Sequence, residues 1–374
     1  MEKINILWIN NIPSPYRVEF WNLLSEYCNL TVIYENAFDT NRDDSWKKER
    51  TVKYKEIYLN ANIRIRGSDS FAPSIIKYLF LYKYDYVVIG SHGSPTQRLA
   101  IVFMRLIGKK FIFNLDGENF VRIKNDSWIK KLLKKHLIFR GAVAYLTTGD
   151  MSKKCLQSYG INENLIKIYP FSSIHNEDVV KNITEEEIRN IYKKRIGVNK
   201  KYLVLAVGSV VHNKGFDLLV KYQQFFTNDV CVCIVGGNIN SECAKLLQEY
   251  DSKTEFKFIP FKTKDKLKEY FLAADVFTLP TRMDSWGLVI NEACAYGLPI
   301  VTTNCCNAGL EMVKNDVNGY VVNINIPENI IKKINIILKD DRLNREMRKN
   351  SLLMAKKYTI ETMTSVNADI LEHI

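Results

Sequence analysis

Residues 284–299 read DSWGLVINEACAYGLP. Two carboxylates, Asp284 and Glu292, stand eight positions apart. The second lies in an apolar helical run of Leu288, Val289, Ile290, Ala293 and Ala295, with Gly287 and Gly297 at its ends. An unpaired carboxylate in apolar surroundings costs several kcal/mol. Glu292 therefore reaches a ligand, or it is a structural acid held by a lysine or arginine. Neighbouring hydroxyls of a ribose suit it, because one carboxylate accepts from two of them. A helix opening at Gly287 turns the N–H groups of Trp286, Gly287 and Leu288 toward any anionic oxygen. A second stretch, VGSVVHNKGFDLL at 207–219, ends a strand at Gly208 and opens a helix at Gly215, with Lys214 beside that helix end. Backbone amides and an ammonium together suit a phosphate. The spacing is not that of a Walker A loop, and an ordinary surface lysine is the alternative.

The elements needed to hold these loops recur along the chain. Strands are expected at Ile4–Asn10, Leu30–Tyr34, Tyr86–Ile89, Lys110–Asn114 and Ala142–Leu146, with helical spacing between several of them. Ser14 and Pro15 form an N-cap and first helical position before Val18, Trp21 and Leu24. After the charged segment 185–201 the pattern restarts with YLVLAVGSV, VCVCIVGG, FKFIPF, VFTLP and PIVTT. The expected fold is α/β, with two Rossmann-like domains facing across a cleft. The expected boundaries are 1–172, 173–355, and a C-terminal helix at 356–374 that returns to the first domain. Ligands in such sheets bind beyond the carboxyl ends of the strands, where both stretches above fall.

Composition narrows the class. The 374 residues carry a net charge of +12, of which residues 1–172 hold +10 (26 Lys and Arg, 16 Asp and Glu). The first half should face something anionic. No run approaches the ~18 apolar residues of a membrane-spanning helix, and the start lacks a secretory signal. A cytoplasmic protein is expected, with its eight cysteines reduced. No C-x-x-C pair suggests zinc, and no recognisable nucleic-acid module accompanies the basic charge.

Taken together, GSVVHNKGFDLL and DSWGLVINEACAYGLPIVTT resemble the donor-binding half of family 4 glycosyltransferases, whose signature is E-x7-E followed by A-x-x-x-G-x-P-V. IKIYPFSSI (166–174) is similar to that family's hinge strand, and VKNDVNGYVV (313–322) to its G-x-x-G-x-L/V segment. The resemblance implies the glycosyltransferase-B fold and a retaining, metal-independent transfer of sugar from a nucleotide-sugar, with no cofactor. It implies that Lys214 contacts the diphosphate, Glu292 the ribose and Asp284 the transferred sugar. Gly208, Ser209, Ser285, Trp286, Gly287 and Leu288 complete the donor site, and the base lies near Ile259–Lys262, including Phe261. No D-x-D metal motif is present. Three positions depart from the family pattern. Ser209 stands where an arginine is common, leaving Arg282 or His212 to replace that cation. Asp284 is one methylene shorter than the usual glutamate. Asp116 stands where many members carry histidine.

In the first half, NIPSPYRVEF fills the first strand–helix loop and resembles relatives from bacterial polysaccharide assembly. Pro15, Tyr16, Arg17, His92 and Asp116 are the expected acceptor contacts, with His92 a possible catalytic assistant. Arg17 sits in a first helical turn, where the macrodipole disfavours a cation, so it faces an anion or solvent. WIKKLLKKHLIFR (128–140) combines an apolar face with four lysines. It suits either an anionic membrane surface or an ordinary helix with a solvated basic face. The leading expectation is a glycosyltransferase that extends a lipid-linked glycan of capsule, O-antigen or exopolysaccharide type. A sugar-nucleotide epimerase on the same fold and a non-catalytic membrane-surface protein are the alternatives.

Overall fold

The computed structural model describes residues 3–38, 50–59, 63–66, 69–81, 83–90, 93–117, 127–226, 229–249 and 254–374. The chain divides into two compact units. Met1–Ser173 with Thr359–Ile374 form the first, and Ile174–Tyr358 form the second.

The first unit contains β1 (Asn5–Asn10), β2 (Asn29–Tyr34), β3 (Lys55–Tyr58), β4 (Ile63–Arg66), β5 (Asp69–Phe71), β6 (Tyr86–Ile89), β7 (Phe111–Leu115), β8 (Ala144–Thr147) and β9 (Ile166–Ile168). Seven of these form a parallel sheet in the order β3-β2-β1-β6-β7-β8-β9. β4 and β5 make a separate antiparallel ribbon. Strands covered by helices on both faces read as unbroken apolar runs, and β1 and β7 are buried nearly throughout. Leu7, Ile9, Val87, Phe111 and Phe113 pack against Ile75, Leu79, Ala100 and Met104 from the helices Ile75–Leu81 and Pro95–Leu106. The helix Pro15–Leu24 starts at the expected cap, with Pro15 in its first turn, although the Ser14 side chain makes no capping bond. The helix Ile360–Glu372 packs on it.

The second unit contains β10 (Tyr202–Val207), β11 (Val230–Val235), β12 (Glu255–Ile259), β13 (Val276–Leu279), β14 (Ile300–Thr303) and β15 (Gly319–Val322). All are parallel, in the order β12-β11-β10-β13-β14-β15. Val204 of β10 pairs with Val232 on one side and Val276 on the other. Strand order reverses between β10 and β13 here, and between β1 and β6 in the first unit. Such a switch point opens a crevice at the carboxyl ends of the strands. At the switch point of the first unit, a Cβ on Gly90 would lie 2.7 Å from the Ile9 carbonyl oxygen, so glycine lets the two chain segments lie this close where they diverge.

Candidate active site

The loops leaving β10 and β13 are stitched together at the switch point of the second unit. Gly215 has φ +71°, and a Cβ there would lie 2.0 Å from the Pro280 carbonyl oxygen. Glycine therefore permits the loop after β10 to lie directly on the end of β13. Three bonds secure the approach: Thr281 Oγ1 donates to the Asn213 carbonyl at 2.7 Å, the Arg282 amide to the same oxygen at 2.8 Å, and Arg282 Nη1 to the His212 carbonyl at 2.7 Å. The result is a contact between two predicted site residues seventy positions apart. Lys214 Nζ donates to Asp284 Oδ2 at 2.6 Å, with both side chains partly exposed.

Asp284 is fixed from beneath. Its amide bonds the Cys305 carbonyl at 3.0 Å, in an isolated bridge to Cys306. Gly287 follows at φ +97°, over the buried Cys306. A Cβ at this position would meet Cys306 Sγ at 2.7 Å and Asp284 Oδ2 at 3.6 Å. Burial, with Asp284 next, pushes the Cys306 thiol up to about 12, so it stays a neutral floor. The helix proper spans Val289–Ala295, two residues later than Gly287, although the Ile290 amide already bonds the Gly287 carbonyl at 2.8 Å.

Glu292 lies on this short helix and is only partly buried. Among the described residues no hydrogen bond or ion pair engages its carboxylate, so the structural-acid alternative finds no partner for it. Burial raises its pKa to about 7, against the pull of Lys264 and with a smaller push from Asp178. Those two neighbours are themselves paired at 2.7 Å. Beside them a cavity of about 1010 Å³ opens between 176–181 and Tyr296, one helical turn beyond Glu292.

Other expected donor residues take different positions. Arg282 and His212 are the two candidates to replace the family's phosphate arginine. The position of Arg282 is set by Asp217: its guanidinium is clasped by both oxygens of this buried carboxylate, at 2.7 and 2.5 Å, so it braces the Lys214 loop. His212 is exposed, 3.7 Å from Glu242. These two and Asp217 lie close enough to share an ion, but both Asp217 oxygens are held by Arg282. Trp286 is buried, its indole N–H on Asn291 Oδ1 at 2.9 Å and its ring against Tyr358. The side chain thus anchors the loop, leaving only its backbone to face a ligand. Ser209, Ser285 and Phe261 are exposed, and Gly208 has φ +145° beside the Lys214 stem.

In the first unit, Arg17 is 2 % exposed. The anion it faces is Asp116, bonded to its Nη2, which also donates to the Tyr169 hydroxyl at 3.1 Å. Phe171 lies under the guanidinium at 4.8 Å. Asp116 Oδ1 also accepts from Tyr169 at 3.0 Å and from Asn114 Nδ2 at 2.5 Å. Arg17 is therefore buried behind Asp116 rather than solvated, and the Asp116 side chain is one-third exposed at the end of β7. Pro15 is exposed and Tyr16 half-buried against Phe171. His92 lies outside the described residues.

Two parallel Rossmann-like sheets with loops of this kind define the glycosyltransferase-B architecture. A solved Anabaena structure, HepE in complex with UDP, superposes with a TM-score of 0.75 over 99 % of this chain and 100 % of that one, at 14 % identity. The family described as "Glycosyl transferases group 1" matches residues 187–354. An uncharacterized glycosyltransferase of Haemophilus influenzae is 31 % identical over 270 residues, 70 % of this chain and 69 % of that protein. The chain belongs to the group 1 glycosyltransferases. At 22 % identity, over 83 % of this chain and 85 % of the relative, it is also similar to the N,N'-diacetylbacillosaminyl-diphospho-undecaprenol alpha-1,3-N-acetylgalactosaminyltransferase of Campylobacter jejuni.

Proposed function

We propose that this glycosyltransferase is a retaining, metal-independent enzyme of the family 4 type that extends a lipid-linked glycan from a nucleotide-sugar donor. The observation that carries the reading is the Lys214–Asp284 contact together with a Glu292 carboxylate that has no hydrogen bond or ion pair among the described residues. In this reading the ribose hydroxyls donate to Glu292. The donor's diphosphate competes with Asp284 for the Lys214 ammonium, and the amides at Gly287 and Leu288 take further oxygens. Asp284, released from the lysine, accepts from sugar hydroxyls. The glycosidic C–O bond breaks with its electron pair on the leaving diphosphate, whose growing charge Lys214 stabilises. The acceptor oxygen then bonds to the same face of the anomeric carbon, and its proton passes to the leaving phosphate oxygen. Asp116, braced by Arg17, Tyr169 and Asn114, is the acceptor-orienting carboxylate.

The lipid-linked acceptor is supported by the surface of the first unit and by the undecaprenol-linked substrate named for the Campylobacter relative. Residues 128–140 form a short α-helix, Trp128–Leu133, continued by a π-turn, Lys134–Phe139. Trp128 is 74 % exposed, and Ile129, Leu132, Leu133 and Leu137 are exposed with it. Arg105 bonds the carbonyls of His136 and Leu137, which brings the end of helix Pro95–Leu106 alongside, where Leu106 is 80 % exposed. Apolar side chains ringed by Lys130, Lys131, Lys134 and Lys135 suit an anionic leaflet, at about 1 kcal/mol per lysine. No helix among the described residues is long and apolar enough to cross a membrane. The protein then works peripherally, on the cytoplasmic face.

The test is a transfer assay in which UDP-sugars are offered with a polyprenyl-diphosphate-linked sugar and the product linkage is read by NMR. A new linkage with the donor's anomeric configuration is expected, without added metal and in the presence of EDTA. An inverted linkage, or epimerised donor without transfer, would overturn the reading.

A further inference from the structure

The second unit carries another concave site, at the opposite end of the strands that hold Lys214 and Asp284. A cavity of about 510 Å³ lies where β10 and β13 begin, beside Tyr202 and Asp275. Two cations are buried in it, Lys193 and Arg348, the latter only 1 % exposed, and Arg189 is partly buried beside them. A single buried carboxylate, Asp275, answers them. Its Oδ1 accepts from Arg189 Nε at 3.0 Å, and its Oδ2 from Lys193 Nζ at 2.7 Å and from the Leu203 amide at 2.8 Å.

That leaves Arg348 without an ion pair of its own among the described residues, Asp275 and Glu185 acting on it only from a distance. Its Nε donates to Asn344 Oδ1 at 2.8 Å and its Nη2 to the carbonyls of Ala274 and Asp275 at 2.6 and 3.2 Å, at the end of the helix Lys264–Ala273. A helix C-terminus supplies only about half a negative charge. Among the described residues Nη1 has no hydrogen-bond partner. Burial, and then the neighbouring Arg189, push the Arg348 pKa down from the usual arginine value. The rim largely neutralises itself: Arg345 pairs with Glu185 and Arg342 with Glu346, while Glu186, Asp341 and Lys201 complete it. With Glu346 counted beside the lining, six cations face five acids, an excess of one positive charge. A buried cation without an ion-pair partner is costly, and an oxyanion is the ligand that would relieve it. Guanidinium forks match phosphate oxygens in pairs. The volume falls in the range of small-molecule sites.

We propose that this cavity is a second ligand site, separate from the donor loops, which takes a phosphate group against Arg348 and Arg189, either as free phosphate or as a sugar phosphate. Calorimetric titration of the full-length protein with inorganic phosphate and with glucose 6-phosphate, in low-salt buffer, tests it. Saturable one-to-one binding is expected. It should weaken roughly tenfold or more in Arg348→Met and persist in Lys214→Met, whose altered residue belongs to the donor loop. Arg189→Gln is the second probe, so that poor folding of the first variant leaves the test standing; thermal unfolding checks that each is folded. Tighter binding of glucose 6-phosphate would identify a sugar phosphate as the occupant, and equal binding the phosphate group alone. Absence of saturable binding by both ligands, or binding unchanged in the folded variants, would overturn the site.

Discussion

Replacing Glu292 by glutamine should make the protein more stable and less active at once. The folded-state pKa of about 7 lies above the ordinary 4.5, so the folded protein holds this proton longer than the unfolded chain. Below pH 4.5 both states are protonated and the group contributes no difference. As pH rises from there to 7 stability declines, and above 7 the full cost of the buried charge remains. At about 1.4 kcal/mol per pH unit this cost is at most about 3.5 kcal/mol, less for the water that reaches a partly exposed side chain. Glutamine carries no charge to bury. Urea denaturation should therefore find Glu292→Gln about 1–3 kcal/mol more stable than wild type at pH 8, with the gain shrinking toward pH 5. Exchanging two charge-assisted bonds to ribose for neutral ones loses about 2–3 kcal/mol, or roughly 30- to 150-fold in kcat/KM. Wild-type donor affinity should rise between pH 6 and 8, as the carboxylate forms, while the variant stays flat. A glutamine variant no more stable than wild type at pH 8, or one within threefold of wild-type turnover, would refute the reasoning.

Three further outcomes follow from the geometry. Gly287→Ala places a Cβ 2.7 Å from Cys306 Sγ at φ +97°, and should cost about 2–4 kcal/mol by urea denaturation; a Cys306→Ala background should recover the contact part only. Asp116→Asn strips the buried Arg17 of its counter-charge and should cost about 3–5 kcal/mol, with partial recovery in the Arg17→Met double variant. Leu133→Glu with Leu137→Glu should abolish sedimentation with phosphatidylglycerol vesicles, while hydrolysis of the donor in the absence of acceptor is unchanged.

Continuous apolar runs such as YLVLAV and VCVCIV announced buried parallel strands, and β10 and β11 formed there. The strand KEIY at Lys55–Tyr58 escaped notice because it is short, charged and at the sheet edge, where half-burial leaves little pattern. Spacing marked Lys214, Asp284 and Glu292 as candidates, but it could not show that the first two touch, since that depends on Gly215 lying against Pro280. Arg17 and Asp116 are ninety-nine residues apart, so the misplaced cation was legible and its partner was not. Arg282 looked like a free phosphate ligand because nothing local hints at Asp217, sixty-five residues earlier. The cation excess around Arg348 draws on the separate segments 183–202, 275 and 338–348 and left no local signal.

The first unit is discontinuous: its closing helix, Ile360–Glu372, is separated from Ser173 by all 185 residues of Ile174–Tyr358. During synthesis at about 5–20 residues per second, the face of Pro15–Leu24 waits on the order of twenty to seventy seconds for its cover. The second unit can close on itself as it emerges; the first cannot. A nascent chain thus exposes an incomplete first unit to chaperones for as long as the second unit is being made. A stop codon in the last few turns would spare the latter and strand the former.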